Sequence, residues 1–290
     1  MSNLKGVGVA LVTPFNEDLS VDFDSLTKLV NFNIENGTNY LVVLGTTAEA
    51  ATLSSEEKKQ VIDHIIKANN KRVPLVLGIG GNNTMEVKKQ IGEADLSDFD
   101  AILSVSPYYN KPNQEGLYQH YKALASTGKN IIIYNVPSRT GQNIEASTTL
   151  RLAEEFPNLI MIKEAAPNIL QYFDILRLKP ANFNLVSGDD EYTLPVTLAG
   201  GNGVISVIGQ GYPKEFSTMV QLAFDGKVKE AYEIHNKLVE ITRLIFAEGN
   251  PAGIKTVLAE LGIIKNYLRL PLVAASAGLQ EKIKAEMAKI

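Results

Sequence analysis

Apolar residues fall in short runs along this chain, separated by longer stretches in which they recur at helical spacing. The runs lie near 6–13, 40–44, 75–79, 101–105, 130–134, 159–163, 184–187 and 203–207, and their length and β-branched content predict strands. The stretches between them predict amphipathic helices. Ser54 with Glu57 reads as a capping box ahead of a helix over 55–69, and Gly37 and Gly128 read as C-terminal stops. Runs such as IIIY and LIMI show no in-out alternation, as expected of parallel strands covered on both faces. Eight strands alternating with helices predict an α/β fold, a (β/α)8 TIM barrel with a C-terminal helical extension. An open doubly wound sheet would satisfy the alternation equally, so the count of eight is what favours the barrel. Further helical patterns occupy roughly 212–225, 228–247, 251–262 and 277–289. One of them should close the barrel, giving a catalytic barrel over 1–225 and a helical domain over 226–290.

Composition narrows the class. With 290 residues, 45% apolar content and a net charge of −4, the chain reads as an ordinary soluble globular protein. No stretch approaches the ~20 uncharged apolar residues of a membrane span. The first residues run into strand-like sequence without a signal-peptide pattern, so a cytoplasmic location is expected. The absence of cysteine excludes disulfides, thiol nucleophiles and thiolate metal sites. Basic residues are interspersed with acidic ones, which leaves no electrostatic footprint for nucleic acid. Small molecules and copies of the chain itself remain as partners.

In such barrels the working residues lie at the C-terminal ends of strands. Those ends carry Thr13-Pro14, Gly45-Thr46-Thr47, Gly80-Gly81-Asn82, Tyr108-Tyr109-Asn110, Tyr134-Asn135, Lys163-Glu164, Gly188-Asp189 and Ile205-Ser206. Lys163 is chemically unusual, because LIMIKEA places it at the end of a run that should be almost wholly buried. A buried ammonium is costly, and desolvation favours the free amine, a nucleophile toward carbonyls. Equally, Lys163 could snorkel to solvent or pair with Glu164. Tyr134 ends the preceding strand, so phenol and amine should share one mouth, and a tyrosine can shuttle the protons that Schiff-base chemistry requires. Thr46, Tyr109 and Tyr134 could form a hydroxyl relay, although the tyrosine pair could equally be loop packing and the threonines a capping turn. Amides at Thr46 and Thr47 could hold a carboxylate. Arg139 could clamp a second one, or make a surface ion pair. GIGGNN lacks the full spacing of a dinucleotide loop. His64, His120 and His235 lie in separate helices without metal-ligand spacing, and SGDD sets two carboxylates where a phosphate would sit. Neither a metal nor a phosphorylated substrate is expected.

The motifs GTTAEA, SPYYNKP, YNVPSRTG, IKEA, SGDD and GVISV, in this order and over nearly the whole chain, resemble the dihydrodipicolinate (4-hydroxy-tetrahydrodipicolinate) synthase family. That family belongs to the N-acetylneuraminate lyase and class I pyruvate aldolase superfamily. The resemblance implies a lyase that condenses pyruvate with L-aspartate 4-semialdehyde, in lysine and diaminopimelate biosynthesis, with no cofactor and no metal. It implies that Lys163 forms the Schiff base, that Tyr134 is the general acid/base, and that Thr46 and Tyr109 complete the relay, Tyr109 being lent by a neighbouring protomer. It further implies that Thr47 binds the pyruvate carboxylate, Arg139 that of the semialdehyde, and that Gly188 and Ile205 line the keto-acid pocket. A homotetramer built as a dimer of dimers is implied as well. Two departures stand out. Ala48 and Ala50 replace the glycine and serine of the commonest first motif, which puts local backbone shape in question. Asn82, Glu86 and Tyr108 match an allosteric lysine site, but Ser55 and Lys58 stand where strongly inhibited members have histidine. The Lys58 ammonium would repel a cationic ligand, so weak or absent lysine inhibition is expected.

Two rivals remain. A sister lyase acting on a sugar-derived aldehyde would share Lys163, Tyr134 and the GTT turn, but would need hydroxyl-binding groups where Arg139 stands. A silent barrel serving as a keto-acid sensor is disfavoured by the intact set of lysine, tyrosines and threonine.

Overall fold

The computed structural model describes residues 4–290. Eight strands follow one another: β1 (Gly6–Ala10), β2 (Tyr40–Val43), β3 (Leu75–Gly78), β4 (Ala101–Val105), β5 (Ile131–Asn135), β6 (Leu159–Glu164), β7 (Asn184–Ser187) and β8 (Gly203–Ser206). They are hydrogen-bonded in sequence order and close into a parallel barrel, as the eight apolar runs predict. Alternating with them are α1 (Phe23–Glu35), α2 (Ser55–Asn69), α3 (Thr84–Glu93), α4 (Gln114–Ala125), α5 (Pro137–Thr140), α6 (Ala146–Glu155), α7 (Ile169–Leu178) and α8 (Thr193–Leu198). After β8 come α9 (Pro213–Phe224), α10 (Val228–Phe246), α11 (Ala252–Glu260) and α12 (Ala277–Met287). No helix among the described residues is long and apolar enough to cross a membrane.

The capping box forms as read: the Ser54 hydroxyl accepts from the Glu57 amide, and the Glu57 carboxylate accepts from the Ser54 amide. Gly37 (φ +97°) and Gly128 (φ +72°) follow the ends of α1 and α4 in left-handed conformations that a Cβ would strain. The first run is shorter as a strand than its apolar residues suggest. Beyond Ala10 the Val12 amide donates to the Gln210 side chain instead of a strand partner.

Two compact units can be described. The first contains Pro74–Ile205. Its core joins one face of the strands, Ile102, Ile131, Ile133, Ile162 and Leu185, to the apolar stripes of α3, α4, α6 and α7, including Ile91, Leu117, Tyr121, Leu152, Tyr172 and Ile175. Each such side chain contributes roughly 1.5–3 kcal/mol on burial. Side chains alternate along a strand. Ile131, Ile133 and Asn135 on β5, with Ile162 and Glu164 on β6, therefore face the helices, which leaves Tyr134 and Lys163 on the opposite face.

The second unit contains Gly6–Val73 and Ser206–Ile290. Here α1 packs on α2, α9 on β1, and α10 on α9, α11 and α12. At Gly8 a Cβ would overlap the fully buried Tyr40 ring, so this close approach of β1 to β2 requires glycine. Helix α11 is buried on nearly every side, and Lys255 sits in its middle.

Candidate active site

Strands β5 and β6 are in register with Tyr134 opposite Lys163 and Asn135 opposite Glu164. Lys163 is only 5% exposed, and its Nζ lies 4.3 Å from the centroid of the Tyr134 ring. No carboxylate of the described residues pairs with it; Glu164, the partner weighed from sequence, faces the other way. The Glu164 carboxylate accepts from Asn135 Nδ2 (2.8 and 3.0 Å), Gln171 Nε2 (2.8 Å) and the Ala166 amide (2.7 Å). Burial nevertheless pushes it up to about 7. Lys163 is thus a buried amine over the ring of a phenol, with no carboxylate partner among the described residues, a placement from which an amine can attack a carbonyl.

Gly188 leaves room for that lysine. A Cβ there would stand 3.0 Å from Lys163 Cε and 2.8 Å from Ala165 Cβ. Ile205 is fully buried in β8. Arg139 is exposed in the single turn of α5, directly after β5. Tyr109 is 89% exposed and holds a left-handed backbone (φ +72°). Asn82 is laced to the same loop, donating to the Tyr108 carbonyl (3.1 Å) and accepting through its own carbonyl from Asn110 (2.9 Å). Glu86 lies exposed in the first turn of α3, where it accepts from Gln90. Of the three matches to an allosteric site, the structure therefore brings Asn82 and Tyr108 into direct contact. Ser55 is exposed and Lys58 half-buried on α2.

In the second unit, Thr46–Ala48 form a single 3-10 turn after β2. Its hydrogen bonds run from Ala48 to Gly45 and from Glu49 to Thr46, so the Thr46 and Thr47 amides have no acceptor within the turn. Ala48 does not occupy the left-handed region and its carbonyl accepts from Thr13 Oγ1 (2.7 Å). Ala50 is likewise outside the left-handed region, so the backbone conformation at neither position requires glycine. Leu44 (φ +56°) and Glu49 (φ +54°) flank the turn in the left-handed region. Such strain marks a segment held by its surroundings.

Comparison with known proteins agrees with this geometry. The dihydrodipicolinate synthetase family profile matches residues 3–290. The chain belongs to that family. A 4-hydroxy-tetrahydrodipicolinate synthase of Flavobacterium psychrophilum is 56% identical over 279 residues, 96% of this chain and 95% of the relative. One of Parabacteroides distasonis is 54% identical over 97% of this chain and 95% of its own length. The crystal structure of the chloride-inhibited dihydrodipicolinate synthase of Acinetobacter baumannii complexed with pyruvate superposes with a TM-score of 0.95 at 40% identity, covering 99% of this chain and 98% of that one. Members of this family are lyases of lysine and diaminopimelate biosynthesis, and this chain is an enzyme of that class.

The histidines set aside from sequence do pack. His120 is buried, bonded to Thr84 Oγ1 (2.9 Å) and pushed down to about 4 by desolvation. His64 meets Thr27 Oγ1 at 2.7 Å. What sequence reasoning missed is the support behind each functional element: Asn135 and Gln171 around Glu164, and Asn250, Lys255 and Arg269 around the threonine turn. The IKEA motif contains Glu164, whose partners Ala166 and Gln171 follow closely while Asn135 ends the preceding strand; GTTAEA contains Glu49, whose partners Lys255 and Arg269 lie some two hundred residues along the chain.

Proposed function

We propose that this enzyme condenses pyruvate with L-aspartate 4-semialdehyde through a Schiff base on Lys163. The observation that carries the proposal is the pairing of Lys163 with Tyr134: an almost fully buried amine without a carboxylate partner, 4.3 Å from the ring of the tyrosine opposite it in register. Family membership and the pyruvate complex of the Acinetobacter relative support it. Lys163 Nζ adds to the C2 carbonyl of pyruvate, and the carbinolamine loses water to give the imine. Loss of a C3 proton gives the enamine, with Tyr134 carrying protons on and off and Thr46 and Tyr109 relaying them to solvent. The enamine carbon attacks the aldehyde carbon of the second substrate. Its amine then displaces Lys163 by transimination, which releases a cyclic product and the free lysine.

Within this reading Thr47 holds the pyruvate carboxylate through its amide, Arg139 holds that of the semialdehyde, and Gly188 and Ile205 line the pocket. The exposure of Tyr109 supports its contribution to a neighbouring protomer, in a homotetramer arranged as a dimer of dimers and located in the cytoplasm. Lysine, acting at Asn82, Glu86 and Tyr108, inhibits weakly or not at all, because Lys58 adds a like charge. Incubation with pyruvate and borohydride is expected to leave a reduced adduct on the peptide containing Lys163. An unmodified lysine, or an adduct elsewhere, overturns the proposal. A coupled assay offering aspartate semialdehyde, N-acetylmannosamine and glyceraldehyde as acceptors separates this activity from that of the sister lyases.

A further inference from the structure

The Thr46–Thr47 turn is gripped by a segment two hundred residues away in sequence. Asn250 Nδ2 donates to Thr47 Oγ1 (2.9 Å), and both residues are buried. Thr47 Oγ1 accepts this bond, which ties the side chain of the turn to Asn250. Lys255 forms an ion pair with Glu49 in which both side chains are 0% exposed. The Lys255 ammonium also donates to the Tyr267 carbonyl (2.8 Å) and lies 4.3 Å from the centroid of the Phe15 ring. The second oxygen of Glu49 accepts from the Arg269 amide (3.0 Å). Arg269 then reaches back to the Thr52 carbonyl (2.9 Å), the Leu19 carbonyl (2.7 and 3.0 Å) and the Glu57 carboxylate.

These contacts converge on one feature. Glu49 is a non-glycine residue in the left-handed region, and Leu44 at the other end of the turn is another. Each such residue costs of order 1–3 kcal/mol and persists only where its surroundings determine it. The brace supplies that determination at the residue next to Ala48, while Asn250 fixes the rotamer of Thr47. A buried ion pair is a poor device for stability alone, since apolar residues of equal volume often do as well. Its better-attested use is to fix one geometry among several.

We infer that Asn250, Lys255 and Arg269 are positioning residues for keto-acid binding: through Thr47 and Glu49 they hold the Thr46–Thr47 turn in its carboxylate-binding conformation. The inference rests on the proposed role of that turn. It extends the working parts of the enzyme to three residues of the C-terminal segment that act through Thr47 and Glu49. The pressure of burial on Lys255, which lowers it to about 8 even against the Glu49 carboxylate, indicates how much solvation this arrangement gives up.

The test compares wild type, Asn250→Ala and the double variant Glu49→Gln with Lys255→Met, which removes both charges together. Borohydride trapping is measured against pyruvate concentration, alongside steady-state KM values and melting temperature. The expected result for both variants is a rise of about tenfold in the pyruvate concentration that half-saturates trapping, matching the loss of one hydrogen bond to a charged ligand. The trapping plateau and the KM for the semialdehyde should stay within about twofold of wild type. Variants that half-saturate at the wild-type pyruvate concentration overturn the inference, whether or not their melting temperatures fall, because a purely stabilising brace would move the second quantity and not the first. Absence of trapping in the wild type overturns the proposed function and the inference together. Should the double variant fail to fold, Asn250→Ala decides alone.

Discussion

Two buried lysines in this chain each sit 4.3 Å from an aromatic ring, Lys163 by Tyr134 and Lys255 by Phe15, and each has a buried glutamate nearby. The resemblance ends at the carboxylate. Lys255 is paired with Glu49 and bonded to a carbonyl, so its ammonium is satisfied. Beside Lys163 the glutamate faces away, and its oxygens are occupied by Asn135, Gln171 and the Ala166 amide. A one-residue step along β6 makes the difference, since neighbouring side chains leave opposite faces of a strand. Burial alone therefore does not mark a nucleophile. What distinguishes Lys163 is burial without a carboxylate partner, at a strand end, beside a group able to move protons.

The sharpest separation of the two is by function. Lys163→Ala is expected to lower kcat by at least about a thousandfold, because the covalent route is lost, while leaving the melting temperature within a few degrees of wild type or above it. Steady-state assay and thermal unfolding of one preparation check both halves. Retained activity would break the comparison from its reactive side.

Lys255 should behave in the opposite sense. Lys255→Met leaves Glu49 charged and unpaired in the interior, and is expected to cost ~3–5 kcal/mol of stability in denaturant unfolding. Adding Glu49→Gln, which still accepts from the Arg269 amide, should recover at least about half of that loss. Additive losses in the double variant would mean that the pair is not a coupled unit.

How far the chain discloses these arrangements depends on whether the partners share a local pattern. Strand order, the Ser54–Glu57 capping box and the juxtaposition of Tyr134 with Lys163 are legible because consecutive strands of a parallel barrel end at the same rim. Only the orientation of Glu164 decides between a paired and an unpaired Lys163, and it follows from strand alternation once the register is known. The hold on Thr47 was not legible. Asn250 and Thr47 are separated by 203 positions, and nothing local ties an asparagine after one helix to a turn after another strand. One signal was present all the same. The stretch AGIKTVLAE is apolar around most of its circumference and carries a single lysine, a pattern that calls for a buried counter-charge. The short α5 that presents Arg139 escaped the periodicity because one turn is too brief to show it.

Glu164 provides the next distinction, since it is the carboxylate that Lys163 does not use. Its folded value is raised to about 7, so the folded state binds the extra proton between the ordinary carboxylate range and neutrality. Its contribution to stability is therefore fully present at acid pH and is lost as pH rises through about 7. Replacement by Gln, which mimics the protonated form, is expected to stabilise the protein by about 2–3 kcal/mol at pH 8 relative to its effect at pH 4.5. Denaturant unfolding at the two pH values measures the difference. A pH-independent effect would mean that Glu164 is already solvated or paired, and would remove the contrast with Glu49.

The smallest effect belongs to the Glu57–Arg269 pair, which tests whether burial or merely ion pairing gives Lys255 its weight. Arg269 donates its backbone amide to Glu49 and its guanidinium to Glu57, so one residue serves a buried carboxylate and a partly exposed one. The guanidinium, aided by the Ser54 amide, holds Glu57 down to about 2. A depressed carboxylate contributes stability above its ordinary value and loses it as pH falls toward the folded one. Glu57→Gln is thus expected to cost about 1 kcal/mol at pH 7, the shift being discounted for solvent screening of side chains 26% and 16% exposed. The gap from wild type should close as pH falls from about 4.5 to about 2, and should narrow at pH 7 when salt is raised, since a surface pair is screened. A cost at pH 7 as large as that of Lys255→Met, insensitive to salt, would show that exposure does not govern these pairs, and the contrast drawn between the two lysines would have to rest on chemistry alone.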